Sequence, residues 1–129
     1  MSIVDRVKFD DRGLAVALAQ DAANGELLMV AFMNREALER TLETGLVHYY
    51  SRSRNKLWRK GEESGHVQRV KEIRIDCDGD AILVTIDQAG VACHEGYRSC
   101  FFRRWDGKEW VTDRERGVDP AAVYGKKPG

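Results

Sequence analysis

Three cysteines at positions 77, 93 and 100 and three aspartates at 76, 78 and 80 are the side chains whose types and spacing bear most directly on chemistry. Thiolates are soft donors that suit Zn2+, and three of them leave one position of a tetrahedral ion open to water, as in catalytic zinc sites. The same residues also read as buried, inert thiols, and no Cys-x-x-Cys pair decides between the two. His94, beside Cys93, fits a fourth ligand, a proton shuttle near neutral pH or a structural histidine. Taken as an extended segment, 76–80 puts Asp76, Asp78 and Asp80 on one side and Cys77 on the other. Three carboxylates together suit a hard divalent cation such as Mg2+ or Ca2+, and the other reading is a polar turn with solvated acids. Ala81 stands where an EF-hand loop requires glycine, and the His-x-Glu and Pro-Cys-x-x-Cys elements of zinc deaminases are absent.

Charge is segregated along the chain. Lys plus Arg and Asp plus Glu both number 21, so the formal charge is zero, yet 48–74 carries a net +5 and 76–95 a net −5. Two solvated faces would account for this, and so would an anion site beside a cation site. Arg52 and Arg54 present two guanidinium groups able to fork onto phosphate oxygens. Lys60, Ser64 and His66 add further donors among the flexible Gly61 and Gly65. Trp58, Tyr49 and Tyr50 offer stacking faces for a base or, equally, core packing. As a single-stranded nucleic-acid signal the stretch is weak, because a neutral chain gains little from counterion release.

These groups need a scaffold. A chain of 129 residues with 43% hydrophobic and 33% charged residues can bury one core and is long enough for a single domain. The longest apolar runs, 14–19 and 27–33, are too short to cross a membrane as helices, and no secretory signal opens the chain, so a cytoplasmic protein with reduced thiols is expected. Strand-like runs 14–20 and 26–33 flank Asn24-Gly25, a hairpin signal of the type I′ kind. Asn34 predicts a cap for a helix over 35–43, with Ala37, Leu38 and Leu42 on one face and Gly45 at its C-terminal end. A strand follows at 47–51, and 52–66 reads as a long polar loop. Two more hairpins are predicted, 73–77 with 81–86 around Asp78-Gly79, and 101–105 with 109–112 around Asp106-Gly107. The expected fold is α+β, a small, mainly antiparallel β domain with one or two short helices, occupying 1–113 and followed by a loose polar tail at 114–129.

Read together, His48-Tyr49-Tyr50-Ser51-Arg52-Ser53-Arg54, Leu57-Trp58-Arg59-Lys60-Gly61-Glu62, Ser64-Gly65-His66, Asp76-Cys77-Asp78 with Asp80, Ala92-Cys93-His94 and Ser99-Cys100-Phe101 resemble phosphoribosyl-AMP cyclohydrolase of histidine biosynthesis. The resemblance covers 13–103 in the family's order and spacing. Glu95 departs from it, standing where a small hydroxylated residue such as Thr is expected. The resemblance implies an intertwined homodimer with one Zn2+ per subunit, held by Cys77 of one subunit and by Cys93 and Cys100 of the other, and Mg2+ at Asp76, Asp78 and Asp80. It implies hydrolytic opening of the adenine ring of 1-(5-phosphoribosyl)-AMP at the N1–C6 bond by zinc-activated water, with His94 moving the proton. The two substrate phosphates would fall to Arg52 and Arg54, and to Lys60, Ser64 and His66. No membrane and no nucleic acid are expected as partners. The 114–129 tail is too short for the phosphoribosyl-ATP pyrophosphohydrolase domain fused to this one in some members, so a separate enzyme is expected to supply the substrate. The alternative from another class is a zinc-stabilised dimeric nucleic-acid-binding module; a plain β domain with buried cysteines is the third reading.

Overall fold

A computed structural model of the chain describes residues 3–119; of the expected polar tail, 120–129 lie outside the described residues. A 3-10 turn at Ile3–Arg6 precedes strands β1 (Ala15–Asp21) and β2 (Leu27–Met33), helix α1 (Arg35–Thr44), and strands β3 (His48–Ser51) and β4 (Lys56–Arg59). Strands β5 (Gln68–Ile75), β6 (Ala81–Gln88), β7 (Arg103–Trp105) and β8 (Trp110–Thr112) follow. No helix is long and apolar enough to cross a membrane.

The first hairpin forms as expected, but by a longer turn. Asp21 N donates to Glu26 O at 2.7 Å, and only Gly25 takes a positive φ (78°), so Asn24 does not adopt the left-handed geometry of a type I′ pair. Asn24 instead accepts from Glu26 N through its side chain, at 2.9 Å. Helix α1 is capped as predicted at both ends: Asn34 Oδ1 accepts from Ala37 N at 2.8 Å, and Gly45, at φ 74°, donates to Thr41 O. Its buried face differs from expectation. Ala37, Leu38 and Thr41 point inward, while Leu42 is 41% exposed. Thr41 can replace an apolar residue because its hydroxyl is satisfied, donating to Ala37 O and accepting from His48 N.

The 52–66 stretch is not one loop. Strand β4 pairs antiparallel with β3, Tyr49 opposite Trp58 with ring centroids 5.3 Å apart, across a turn closed by Asn55 at φ 53°. Asparagine is among the few residues other than glycine that tolerate this conformation, and that lets the chain reverse here. The main sheet has the order β2-β1-β6-β5. β1 pairs with β2, and β5 with β6, in antiparallel fashion, but the central β1–β6 pair is parallel, so the sheet is mixed. Inward residues of β1 and β6 (Ala17, Ala19, Ile82, Val84, Ile86) join Leu28, Met33, Leu38, Val47 and Tyr49 in one core. The third hairpin, β7–β8, stands apart from this sheet. Residues 114–118 are tied back to the molecule: Arg114 pairs with Glu26 at 2.6 Å, and Gly117 N donates to Gly96 O at 2.8 Å.

Candidate active site

Strand β6 runs between the aspartate group with Cys77 and the loop of Cys93 and Cys100. The aspartates precede it and form a turn, not the extended segment expected from alternation. Asp76 Oδ1 accepts from Asp80 N at 3.0 Å and Ala81 N at 3.2 Å, and Gly79, at φ 77°, completes the reversal. The turn gathers what a strand would only align: ligand oxygens of Asp76, Asp78 and Asp80 lie within 4.8 Å of one another on an exposed surface. Hydrogen bonding and repulsion from Asp78 and Asp76 raise the Asp80 carboxyl above its ordinary range. For Asp76, desolvation pushes upward but is outweighed by hydrogen bonds from Ala81, Asp80 and Asp78, and the net shift is downward. Crowded oxygen donors of this kind fit a hard divalent cation. Cys77 is exposed in the same turn.

The loop after β6 holds the other two cysteines. Gly96 N donates to Cys93 O at 3.0 Å and Cys93 N to Tyr97 O at 3.1 Å, folding the loop into a tight reversal. Tyr97 stacks on Phe102 at 3.8 Å, and Cys100 N donates to Leu28 O at 2.7 Å, which seats the far end on β2. Ser99 Oγ donates to Leu27 O, and Arg98 pairs with the buried Asp21 at the end of β1. The result sets the Cys93 thiol, which accepts from Glu95 N at 3.4 Å, near that of Cys100, and the Cys100 thiol is pushed up to about 12 by desolvation first and by Cys93 second. Glu95 also repels its thiolate, which gives the departure at this position an electrostatic consequence. His94 lies exposed beside the pair. The crowded Cys93 and Cys100 sulfurs are a donor set that fits zinc, and a bound cation would favour the Cys100 thiolate that burial disfavours.

Within one chain the three cysteines do not converge. Among the described residues the aspartates form the one cluster of metal-ligating side chains, and an eight-residue β6 sets the Cys77 turn roughly 25 Å of strand from the Cys93 loop.

The basic residues divide between locations. Arg52 and Arg54 are exposed in the β3–β4 turn, the Arg52 guanidinium lying 4.0 Å from the centre of the Phe32 ring. Arg52 lines a cleft of about 360 Å3 with Arg12, Leu14, Asn34, Tyr50 and Asn55. Arg12 is far from the motif in sequence and was not singled out from it. Ser64 Oγ accepts from His66 N at 3.1 Å, and the His66 ring packs on Gly90, its Nδ1 buried without a partner. Lys60 is only 8% exposed, and its ammonium reaches inward to the Ala92 carbonyl. Burial lowers its pKa, while Cys100 and Cys93 act in the opposite sense. A buried chain of hydrogen bonds, Tyr49 Oη to Gln68 Oε1 (2.6 Å), Gln68 Nε2 to Gln88 Oε1 (2.8 Å) and Gln88 Nε2 to His66 O (3.1 Å), supports this region and was not anticipated.

The phosphoribosyl-AMP cyclohydrolase family model matches residues 29–102. A phosphoribosyl-AMP cyclohydrolase of Chromobacterium violaceum is 57% identical over 95% of this chain and 94% of its own. One from Methanococcoides burtonii is 60% identical over 94% and 98%, and one from Neisseria gonorrhoeae 54% identical over 96% and 95%. The chain belongs to the phosphoribosyl-AMP cyclohydrolase family. It is thus an enzyme, a hydrolase of histidine biosynthesis, and the nucleic-acid-module alternative falls away. The matched segment contains α1, the β3–β4 hairpin, the aspartate turn and the cysteine loop, while Arg12 of the Arg52 cleft lies before it.

Proposed function

We propose that this cyclohydrolase works as a homodimer that opens the adenine ring of 1-(5-phosphoribosyl)-AMP, with Cys93 and Cys100 of one chain and Cys77 of its partner holding zinc, and Asp76, Asp78 and Asp80 holding Mg2+. The observation that carries this reading is the pairing of the Cys93 and Cys100 thiols while Cys77 sits at the opposite end of β6. When bound, zinc supplies Lewis-acid activation of water at neutral pH. His94, exposed beside the thiol pair, takes the proton from the attacking water and delivers it to the departing nitrogen. The oxygen adds at C6, the C6–N1 bond breaks, N1 takes up the proton, and C6 with its amino group becomes a carboxamide.

Binding falls to groups outside the thiol loop. The Arg52 cleft, with Arg12 and Tyr50, has the size and charge for one phosphate, and Arg54 lies in the same turn. Ser64 and His66 remain the candidates near the second phosphate, whereas the Lys60 ammonium is committed to the cysteine loop. The aspartates with their cation would offset substrate charge. Incubation with phosphoribosyl-AMP, followed by ultraviolet absorbance with and without zinc chelation, tests the whole. Ring opening that stops on chelation and returns with zinc is expected; a folded, zinc-loaded dimer that leaves the ring closed would overturn it.

A further inference from the structure

We propose that Lys60 is a positioning residue for the cysteine pair, a fixed positive charge set against the two thiolates that receive zinc. The inference rests on reading Cys93 and Cys100 as zinc ligands. Lys60 directly follows β4, and its backbone N donates to Val47 O at 3.0 Å. The turn after it is fixed: Gly61 has φ +84°, and a Cβ there would lie 2.5 Å from Val67 N and 2.6 Å from His66 C, so no other residue fits. The side chain is thereby sent inward, past the Trp58 ring at 5.7 Å, to donate from Nζ to the carbonyl of Ala92, the residue before Cys93. Ala92 and Cys93 are themselves buried, and charge on Cys100 and Cys93 favours the ammonium that burial disfavours.

A buried ammonium is costly and is retained where an opposite charge meets it. Three thiolates around Zn2+ leave a net negative charge, and Glu95 adds another near Cys100. Lys60 therefore offsets the excess while holding the Ala92 carbonyl, and with it the Cys93 backbone, in place. A phosphate contact would need the ammonium at the surface, where it is not.

Two neutral variants separate charge from hydrogen bonding. Lys60→Gln retains a donor for the Ala92 carbonyl, Lys60→Met removes it, and Lys60→Arg keeps the charge. Zinc affinity by competition with a chromophoric chelator, and thermal unfolding of metal-free and zinc-loaded protein, are the readouts. Both neutral variants should bind zinc about tenfold or more weakly, with a smaller zinc-induced rise in Tm, while metal-free Tm holds or rises and Lys60→Arg retains most of the affinity. Affinity within twofold of wild type in Lys60→Gln and Lys60→Met would overturn the proposal. So would equal losses of Tm with and without metal, or failure of both neutral variants to fold, since each makes the role structural. Wild-type protein that takes up no zinc would overturn the ligand reading beneath it instead.

Discussion

If Cys77 serves the site of a second chain, two inactive variants should rescue each other. The geometry sets the magnitude. Ligand sulfurs around one zinc sit within about 4 Å of each other, whereas β6 separates Cys77 from Cys93 by roughly 25 Å of strand, so a single chain cannot close the set. Cys77→Ser homodimers lose one ligand at both sites, and so do Cys93→Ser homodimers. In a mixed dimer, the Cys77→Ser chain offers its intact Cys93 and Cys100 to the intact Cys77 of the other chain, and one complete site forms. The reciprocal site lacks two ligands. Random pairing makes half of all dimers mixed, each with one good site of two, so co-expression should restore about a quarter of wild-type activity per chain. Mixed dimers isolated through two different tags should show about half the wild-type turnover and half its zinc. The assay is ring opening by absorbance alongside metal analysis. Co-expressed protein that stays at the level of its parents, although tag capture proves the mixed dimer present, would refute the shared site.

Further outcomes follow from the contacts described. Asn34→Ala removes the acceptor for Ala37 N and should cost about 1 kcal/mol in urea unfolding, with zinc content unchanged. Arg98→Met strands the buried Asp21 carboxylate but removes a half-exposed partner, so about 1–2 kcal/mol is expected. Asp21 also sets a pH dependence: burial raises its pKa, but hydrogen bonds from Ala23 and Arg98 outweigh this and hold it below 3.8. A depressed folded-state pKa means the contribution is present above pH 3.8 and lost as pH falls through the folded value. Acid unfolding curves of Arg98→Met should accordingly be shallower below that pH; an unchanged slope would contradict the assignment. Arg52→Ala should raise KM for phosphoribosyl-AMP about tenfold with little change in kcat, because a phosphate contact acts equally in ground and transition states. A fall in kcat alone would move Arg52 to another role.

Local signals were readable and non-local ones were not. Asn34 and Gly45 bracket α1 because caps are chemistry of single residues, and glycine-marked turns announced three hairpins for the same reason. The β3–β4 hairpin escaped because its turn has no Asn-Gly or Asp-Gly; the one cue was Asn55, whose left-handed conformation is visible only in the folded chain. Parallel pairing of β1 with β6 joins segments some sixty residues apart and leaves no mark on either. The metal candidates were legible as residue types, but their geometry was not: the aspartates converge through a turn held by Asp76 accepting backbone N–H groups. Lys60 was grouped with phosphate ligands because its neighbours in sequence are basic and polar. Only the folded chain shows that it is buried and donates to the Ala92 carbonyl.

The segregated charge takes its meaning from β6. The +5 block of sequence is not one surface: Arg52 and Arg54 sit at the β3–β4 turn, Lys60 is buried beside the thiols, and Arg69, Lys71 and Arg74 lie exposed along β5. Part of that block faces the acidic one across a strand pair, Arg69 opposite Asp87, so those charges offset each other on the sheet. What remains unbalanced is at the two ends of β6, acids at one and a thiol pair with a buried ammonium at the other. A two-fold axis that lays the aspartate turn of one chain on the cysteine loop of another would join these ends. Cys77 would then enter the partner's thiol site while the flanking Asp76 and Asp78 bring their cation beside it. Separating the halves of the site along one strand would make each chain incomplete alone, and would tie zinc binding to association by mass action. Chelation should therefore weaken the dimer as well as stop turnover; a chelated dimer that resists dilution as well as the zinc-loaded one would mean that the axis lies elsewhere.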